Sequence, residues 1–362
     1  MTAASQTTEW RYIKAFAAHL ARCGLVEGET VAVLSESQSR PVLVETARLA
    51  AQSLGGRVFD VVVPTPPSAH SVPIRSTGAS QALAGHPSVI AALASSALVI
   101  DCTVEGLLHA PELGAILGGG ARVLMISNEH PEILERVGWD DDMPRRVELG
   151  HSWMAAASTM RVTSAAGTDL TVKLAGASSA ASTGLTSGPG SIAHWPGGLV
   201  AAFPAAHSVN GTIVLAPGDT NLTFNTLIQS PITLRIDDDY IEAIEGDGAD
   251  AILFRSYLGA FGNRESYATS HVGWGMNEQA RWDSSQLYDR RETWGTEGRV
   301  YAGNFVYSTG ANELAGRYTA GHFDLPMREC TITLDDRIIV AAGVLADELR
   351  SSRAAAAFTD CS

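Results

Sequence analysis

The sequence predicts a doubly wound α/β N-terminal domain with a mostly parallel sheet, followed by a β-rich α+β C-terminal domain. Three observations predict it. Up to about residue 150, helix-spaced apolar patterns alternate with short continuous apolar runs, as strands covered by helices on both faces require. Beyond that point the pattern changes to period-two alternation broken by turn residues. The length, 362 residues, is enough for two cores. The expected domains are 1–150 and 151–362.

The elements follow in order. Residues 8–23 carry apolar groups at helical spacing, TVAVLSE (30–36) reads as a strand, 42–55 as a helix and RVFDVVVP (57–64) as a strand. SVIAALASSA (88–97) is helical, LVIDC (98–102) a strand, ELGAILGGG (112–120) helical and RVLMIS (122–127) a strand. No GxGxxG follows the first strand, so a dinucleotide site is not supported. In the second part, 161–176 alternates, and the Gly/Ser-rich stretch 178–191 is expected to be a loop. GTIVLAPGD (211–219), ITLRIDDDYIEAIEG (232–246) and CTITLDDRIIVAAG (330–343) read as strands, the last two as hairpins across DDD and DD.

Composition excludes several functions. The net charge of −14 argues against a nucleic-acid partner, because phosphate binding needs a basic face. No run of about 18 apolar residues offers a membrane span, and MTAASQTTEWRYIK has no basic-then-apolar leader pattern, so a cytoplasmic location is expected. Cys23, Cys102, Cys330 and Cys361 are scattered with no CxxC, which suggests reduced thiols and neither a zinc cage nor a disulfide framework.

AGHFDLP (320–326) raises the question of chemistry. His322 and Asp324 are two apart, so on an extended segment both side chains reach the same side and one ion. His271, in ATSHVGWGMN, is the best third ligand. Two imidazoles and one carboxylate on one face form a triad with open positions, which suits non-haem Fe(II). A lone HxD is more often an ordinary pair of side chains than a ligand pair, so the pattern alone leaves this open. HExxH and GxSxG are absent, so neither a zincin nor a serine-hydrolase signature is present. Ser308 in STGANE reads as a turn serine. His109 in GLLHAPE follows the strand LVIDC, where open α/β sheets gather functional groups; it is either a general base or a histidine at a helix start. His194 in AHWPGG either orients a ligand or caps a turn. The other histidines lack partners in sequence.

Taken together, SHVGWG (270–275), QARW (279–282), GNFVYSTGANE (303–313) and HFDLPMREC with LDD (322–336) resemble the 2,5-dihydroxypyridine 5,6-dioxygenase family. The likeness extends to HWPGG (194–198), GTIVLAPGD (211–219) and, more weakly, GLLHAPE (106–112). The resemblance implies a fold similar to that of aminopeptidase T metallopeptidases. It implies Fe(II) ligands at His271, His322 and Asp324, a catalytic base at His109, and substrate-pocket positions at His194 and Ser308. It also implies a small hydroxylated aromatic or N-heterocyclic substrate, O2 as co-substrate, an extradiol-like ring opening such as 2,5-dihydroxypyridine to N-formylmaleamate, and a homo-oligomer. One position departs from the family pattern: Ser182 stands where the resemblance places a pocket glutamate, which implies a carboxylated or benzenoid analogue as an alternative substrate. The rival expectation is a two-metal peptidase of the aminopeptidase T type, which needs several bridging carboxylates; the matched strings offer Asp324, with Glu278 and Glu313 reading as peripheral.

Overall fold

The computed structural model of the chain describes residues 7–72 and 80–351. Cys361 lies outside the described residues; Cys23, Cys102 and Cys330 are buried free thiols.

The first sheet is parallel throughout. Its strands β1 (Thr30–Glu36), β2 (Arg57–Val63), β3 (Leu98–Asp101), β4 (Arg122–Met125) and β8 (Ile192–His194) lie in the order β2-β1-β3-β4-β8. Alternate side chains feed separate cores. Val31, Val33, Leu98, Ile100 and Leu124 pack with residues of α1 (Trp10–Arg22) and α2 (Pro41–Ser53). Ala32, Leu34, Val99 and Val123 pack with residues of α3 (Pro87–Ala94) and α4 (Leu113–Gly118). Cover on both faces is why these strands read as unbroken apolar runs. The doubly wound arrangement is the one the sequence predicts.

Two helices follow that the sequence reading did not find, α5 (Pro131–Val137) and α6 (Met143–Ala156). The buried face of α6 is thin, with Met143, Val147, Gly150 and Met154 interrupted by a buried Arg146. β8 joins the first sheet from well beyond residue 150, so a division at 150 leaves its fifth strand on the far side.

The second part builds two antiparallel sheets face to face. One has eight strands in the order β14 (Tyr240–Glu245), β13 (Ile232–Asp237), β10 (Val209–Leu215), β6 (Asp169–Lys173), β5 (Thr159–Thr163), β18 (Thr331–Leu334), β19 (Arg337–Ala341) and β20 (Val344–Leu345). Both predicted hairpins are present, and Asp238, Asp239 and Asp335 take the positive φ that their tight turns require. The other sheet runs β17 (Phe323–Met327), β16 (Phe305–Thr309), β15 (Thr269–Gly275), β9 (Leu199–Phe203) and β7 (Ser178–Ser182). A short pair, β11 (Thr220–Asn221) with β12 (Thr226–Leu227), and helices α7 (Ala249–Gly259) and α8 (Thr296–Val300) complete the described elements.

The expected loop at 178–191 is corrected in its first part. Ser178–Ser182 is an edge strand, paired with β9 from Ser178↔Phe203 to Ser182↔Leu199. Serine and alanine have no strong strand preference of their own; pairing with an existing strand supplies the conformation.

Alternation in the five-stranded sheet places the functional residues. Val200, Ala202, Val272, Trp274, Phe305, Tyr307, Phe323 and Leu325 point into the core shared with the eight-stranded sheet. Their neighbours Ala201, His271, Ser308 and Asp324 therefore point to the other face, toward the parallel sheet.

Candidate active site

Phe323 anchors the central segment. It is fully buried, with ring centroids 4.3 Å from Phe254, 5.0 Å from Tyr257 and 5.6 Å from Phe224. Its truncation would cost on the order of 3–5 kcal/mol. With Phe323 fixed in the core, His322 and Asp324 are held on the opposite side. His322 Nε2 is 3.1 Å from Asp324 Oδ1.

His271 reaches the same point through a bulge. In the β15–β16 ladder Thr269 pairs with Thr309 and Val272 with Tyr307, so Ser270 and His271 together oppose Ser308. Such an extra residue re-aims a side chain. His271 Nε2 comes to 3.6 Å from Asp324 Oδ1 and 2.9 Å from Ser308 Oγ. Ser270 Oγ donates to the Ala311 carbonyl at 2.5 Å and lies 3.2 Å from His271 Nδ1. It is placed to accept from Nδ1–H, the tautomer that would leave Nε2 as the lone pair a metal ligand needs. Burial pushes the His271 imidazole down to about 3, with Asp324 opposing and His322 and His109 adding to the shift. The ring is neutral.

Ser308 lies opposite Asp324 in the ladder and is fully buried. Its hydroxyl donates to Asp324 Oδ1 and meets His271 Nε2. Neither Ser308 nor His109 is among the residues lining the cavity described below. Burial alone would raise the Asp324 carboxyl; Arg299 and the two imidazoles outweigh it and hold the group well below the carboxylate range. Arg299 Nε donates to Asp324 Oδ2 at 2.6 Å, which leaves Oδ1 as the oxygen facing the imidazoles.

His109 arrives from the parallel domain. Its loop begins at Asp101, whose buried carboxylate accepts from Thr103 N, Thr103 Oγ1 and Leu107 N at 2.6–2.9 Å. The His109 ring stands 5.3 Å from that of His322 and 6.3 Å from that of His271. Ligand atoms of His109, His271 and His322 all lie within 4.8 Å of one another. His109 Nδ1 is 3.4 Å from Glu313 Oε1, too long for a full hydrogen bond, and neither ring nitrogen has a hydrogen-bond partner. His322 Nδ1 is likewise unpartnered.

These donors fit a metal ion. Ligands at right angles around an ion at ordinary N/O distances lie about 3 Å apart. The separations of 3.1 and 3.6 Å from Asp324 Oδ1 to the two Nε2 atoms are close to that. Unpartnered imidazole nitrogens in a buried cluster are themselves a polar deficit that an ion or a ligand relieves.

Beside this cluster lies a cavity of about 130 Å³. A dry cavity of ~150 Å³ takes one benzene ring. Its walls include Leu108, Met125, Ile192, Leu199 and Phe203, with Ala180, Ala181 and Ser182 along β7. His194, from the carboxyl end of β8, also lines it. His194 Nδ1 is 3.2 Å from the Pro196 carbonyl, so Nδ1 carries the proton and the unpartnered Nε2 is an acceptor. Burial, reinforced by Arg299, holds His194 down at about 3. Ser182 Oγ is engaged with the backbone of His194, 3.2 Å from its carbonyl and 3.4 Å from its N–H. It adds no charge to the wall. Trp294 completes the cavity and stacks under the Arg299 guanidinium at 4.0 Å.

Three contributors escaped the sequence reading: Arg299, Trp294 and Glu313. Glu313 had read as peripheral. Arg299 and Trp294 sit near QARW and GNFVYSTG but in no string with a ligand pattern, so only folding brings them here.

Comparison with known proteins gives one answer. A family model for 2,5-dihydroxypyridine 5,6-dioxygenase (NicX) matches residues 11–347. A 2,5-dihydroxypyridine 5,6-dioxygenase of Pseudomonas putida KT2440 is 36% identical over 332 residues, 90% of this chain and 94% of the relative. The solved structure of the dioxygenase from that organism superposes with a TM-score of 0.88 at 34% identity, covering 94% of this chain and 98% of the other. Wild-type AmpT from Thermus thermophilus superposes with a TM-score of 0.62 at 13% identity, covering 93% and 99%, a likeness of fold alone.

Proposed function

The chain belongs to the 2,5-dihydroxypyridine 5,6-dioxygenase family, and from that premise we propose that it opens the ring of 2,5-dihydroxypyridine at an Fe(II) ion held by His271, His322 and Asp324. It is a ring-cleaving dioxygenase that acts on a small aromatic with O2. The observation that carries the site assignment is the convergence of two imidazole Nε2 atoms on one carboxylate oxygen, at 3.1 and 3.6 Å, beside an apolar cavity of ring size.

Fe(II) held by these residues would supply the redox chemistry between the substrate and O2. The protein does the rest. Ser270 fixes the His271 tautomer, and Arg299 turns Asp324 so that Oδ1 faces the imidazoles. Glu313 beside Nδ1 favours the proton there, so His109 Nε2 is the atom that takes the proton from the ring hydroxyl. His194 Nε2, an acceptor, reads an N–H or O–H on the ring. The apolar walls exclude water and fix the ring in register.

A second substrate reading rests on Ser182. Its hydroxyl is closed on the His194 backbone, and Ala180 and Ala181 adjoin it, so this wall neither charges nor fills the cavity. A carboxylated or benzenoid analogue fits the same description. The two-metal peptidase reading has less support: among the described residues Asp324 is the carboxylate that meets both His271 and His322, and it is already shared with Arg299, while Glu313 approaches only His109. The test is O2 uptake by anaerobically purified, Fe(II)-reconstituted protein. Fastest turnover of 2,5-dihydroxypyridine supports the first substrate, fastest turnover of an analogue the second, and no uptake with any hydroxylated ring removes both.

A further inference from the structure

Glu129 lies outside every ligand or pocket position named above, yet it is fully buried and makes four hydrogen bonds. It follows β4 in the parallel domain. Oε1 accepts from His130 N at 2.9 Å and Trp294 N at 3.0 Å. Oε2 accepts from Thr296 N at 3.0 Å and Thr296 Oγ1 at 2.7 Å. Three of the four donors belong to the segment that enters α8 in the β-rich domain. Between them Gly295 takes a φ of 82°, in the left-handed region, which lets both amides turn to one carboxylate. Its Cβ position would meet Leu222 Cδ2 at 2.9 Å, so an added side chain would also have to displace Leu222.

This short segment carries two walls of the active site. Trp294 lines the cavity, and Arg299, one turn on, orients Asp324 and donates to the Trp294 carbonyl at 3.2 Å. We propose that Glu129 is a positioning residue, which locks the Trp294–Arg299 turn from across the domain boundary and so sets the orientation of the Asp324 carboxylate and the floor of the ring cavity. A carboxylate suits the task because it accepts from all four donors at once. An amide of the same shape offers one accepting oxygen and turns an N–H against the donors.

The kinetic part of the test rests on the dioxygenase reading; the exchange part does not. In iron-free protein, hydrogen–deuterium exchange of the peptide spanning 290–300 should quicken at least tenfold in Glu129→Gln. In reconstituted protein, Glu129→Gln should lower kcat/KM for ring-dependent O2 uptake at least tenfold. Arg299→Lys should lower it too, and the double variant should lose far less than the product of the two, because both act through one contact. Thr296→Val removes only the hydroxyl contact and should give a smaller loss in the same direction, which keeps the test open if Glu129→Gln does not fold. Unchanged exchange, or losses that multiply in full, would overturn the proposal. If wild-type protein consumes no O2, the functional reading fails and the exchange result alone decides for or against the Glu129 lock.

Discussion

Asp324 holds four partners at once. Oδ2 is taken by Arg299, and Oδ1 meets Ser308, His322 and His271. A buried carboxylate is stable as an anion only when paired this closely. Such pairing also makes each partner sensitive. His322→Ala should abolish stoichiometric Fe(II) binding and O2 uptake together; an iron-loaded, active variant would refute its ligand role, and metal analysis with an oxygen electrode reads both. His194 should behave differently. Its Nε2 offers one hydrogen bond to the ring, so His194→Phe should raise KM roughly tenfold with little change in kcat. A lowered kcat at unchanged KM would contradict the substrate-reading role. The sequence made His271, His322, Asp324, His109 and His194 legible as candidates, because imidazoles and carboxylates near glycine turns stand out. Arg299 did not, since an arginine at that spacing looks like any solvated charge until α8 turns it inward.

At the scale of elements, legibility followed burial. β1, β3 and β4 are covered on both faces, and their apolar runs were plain. β7 reads SSAAS and gains its conformation from β9, so nothing local announced it. The bulge at Ser270–His271 was equally silent, although it is what aims His271. α1 supports the site from behind. His19 is 3% exposed, donates to the Gly184 carbonyl at 2.8 Å and stacks on Trp195 at 4.0 Å, next to His194. Burial lowers its pKa from 6.5 to about 4. The folded state therefore binds fewer protons than the unfolded state between those values, and stability falls as pH drops from 6.5 towards 4. The contribution is about 3 kcal/mol in full. His19→Asn keeps a donor for Gly184 but cannot titrate. Its melting temperature should fall less steeply than that of the wild type over this window; parallel curves would show that His19 does not drive the acid sensitivity.

The whole molecule places the site where its two halves meet. His109, Met125 and His194 come from the carboxyl ends of parallel strands or the loops beyond them, where open α/β sheets bind ligands. His271, Ser308 and Asp324 come from the outward face of an antiparallel sheet whose other face is core. Two fold classes were legible in the sequence; that β8 would cross between them was not, because three residues, Ile192–His194, carry no domain signature. A metal bound to ligands fixed in the folded state must stabilise the fold. Fe(II) at 100 times its dissociation constant should add about 2.7 kcal/mol to the apo protein, seen as a rise of several degrees in melting temperature under anaerobic conditions. The rise should vanish in His271→Ala, and its persistence there would place the ion elsewhere. The most direct test of the dioxygenase account is a turnover of the Fe(II)-reconstituted protein on 2,5-dihydroxypyridine under labelled O2, followed by mass spectrometry of the product. The account predicts an acyclic product carrying both labelled oxygen atoms. A ring left intact, or a product carrying one labelled atom or none under conditions that exclude exchange with water, would contradict it.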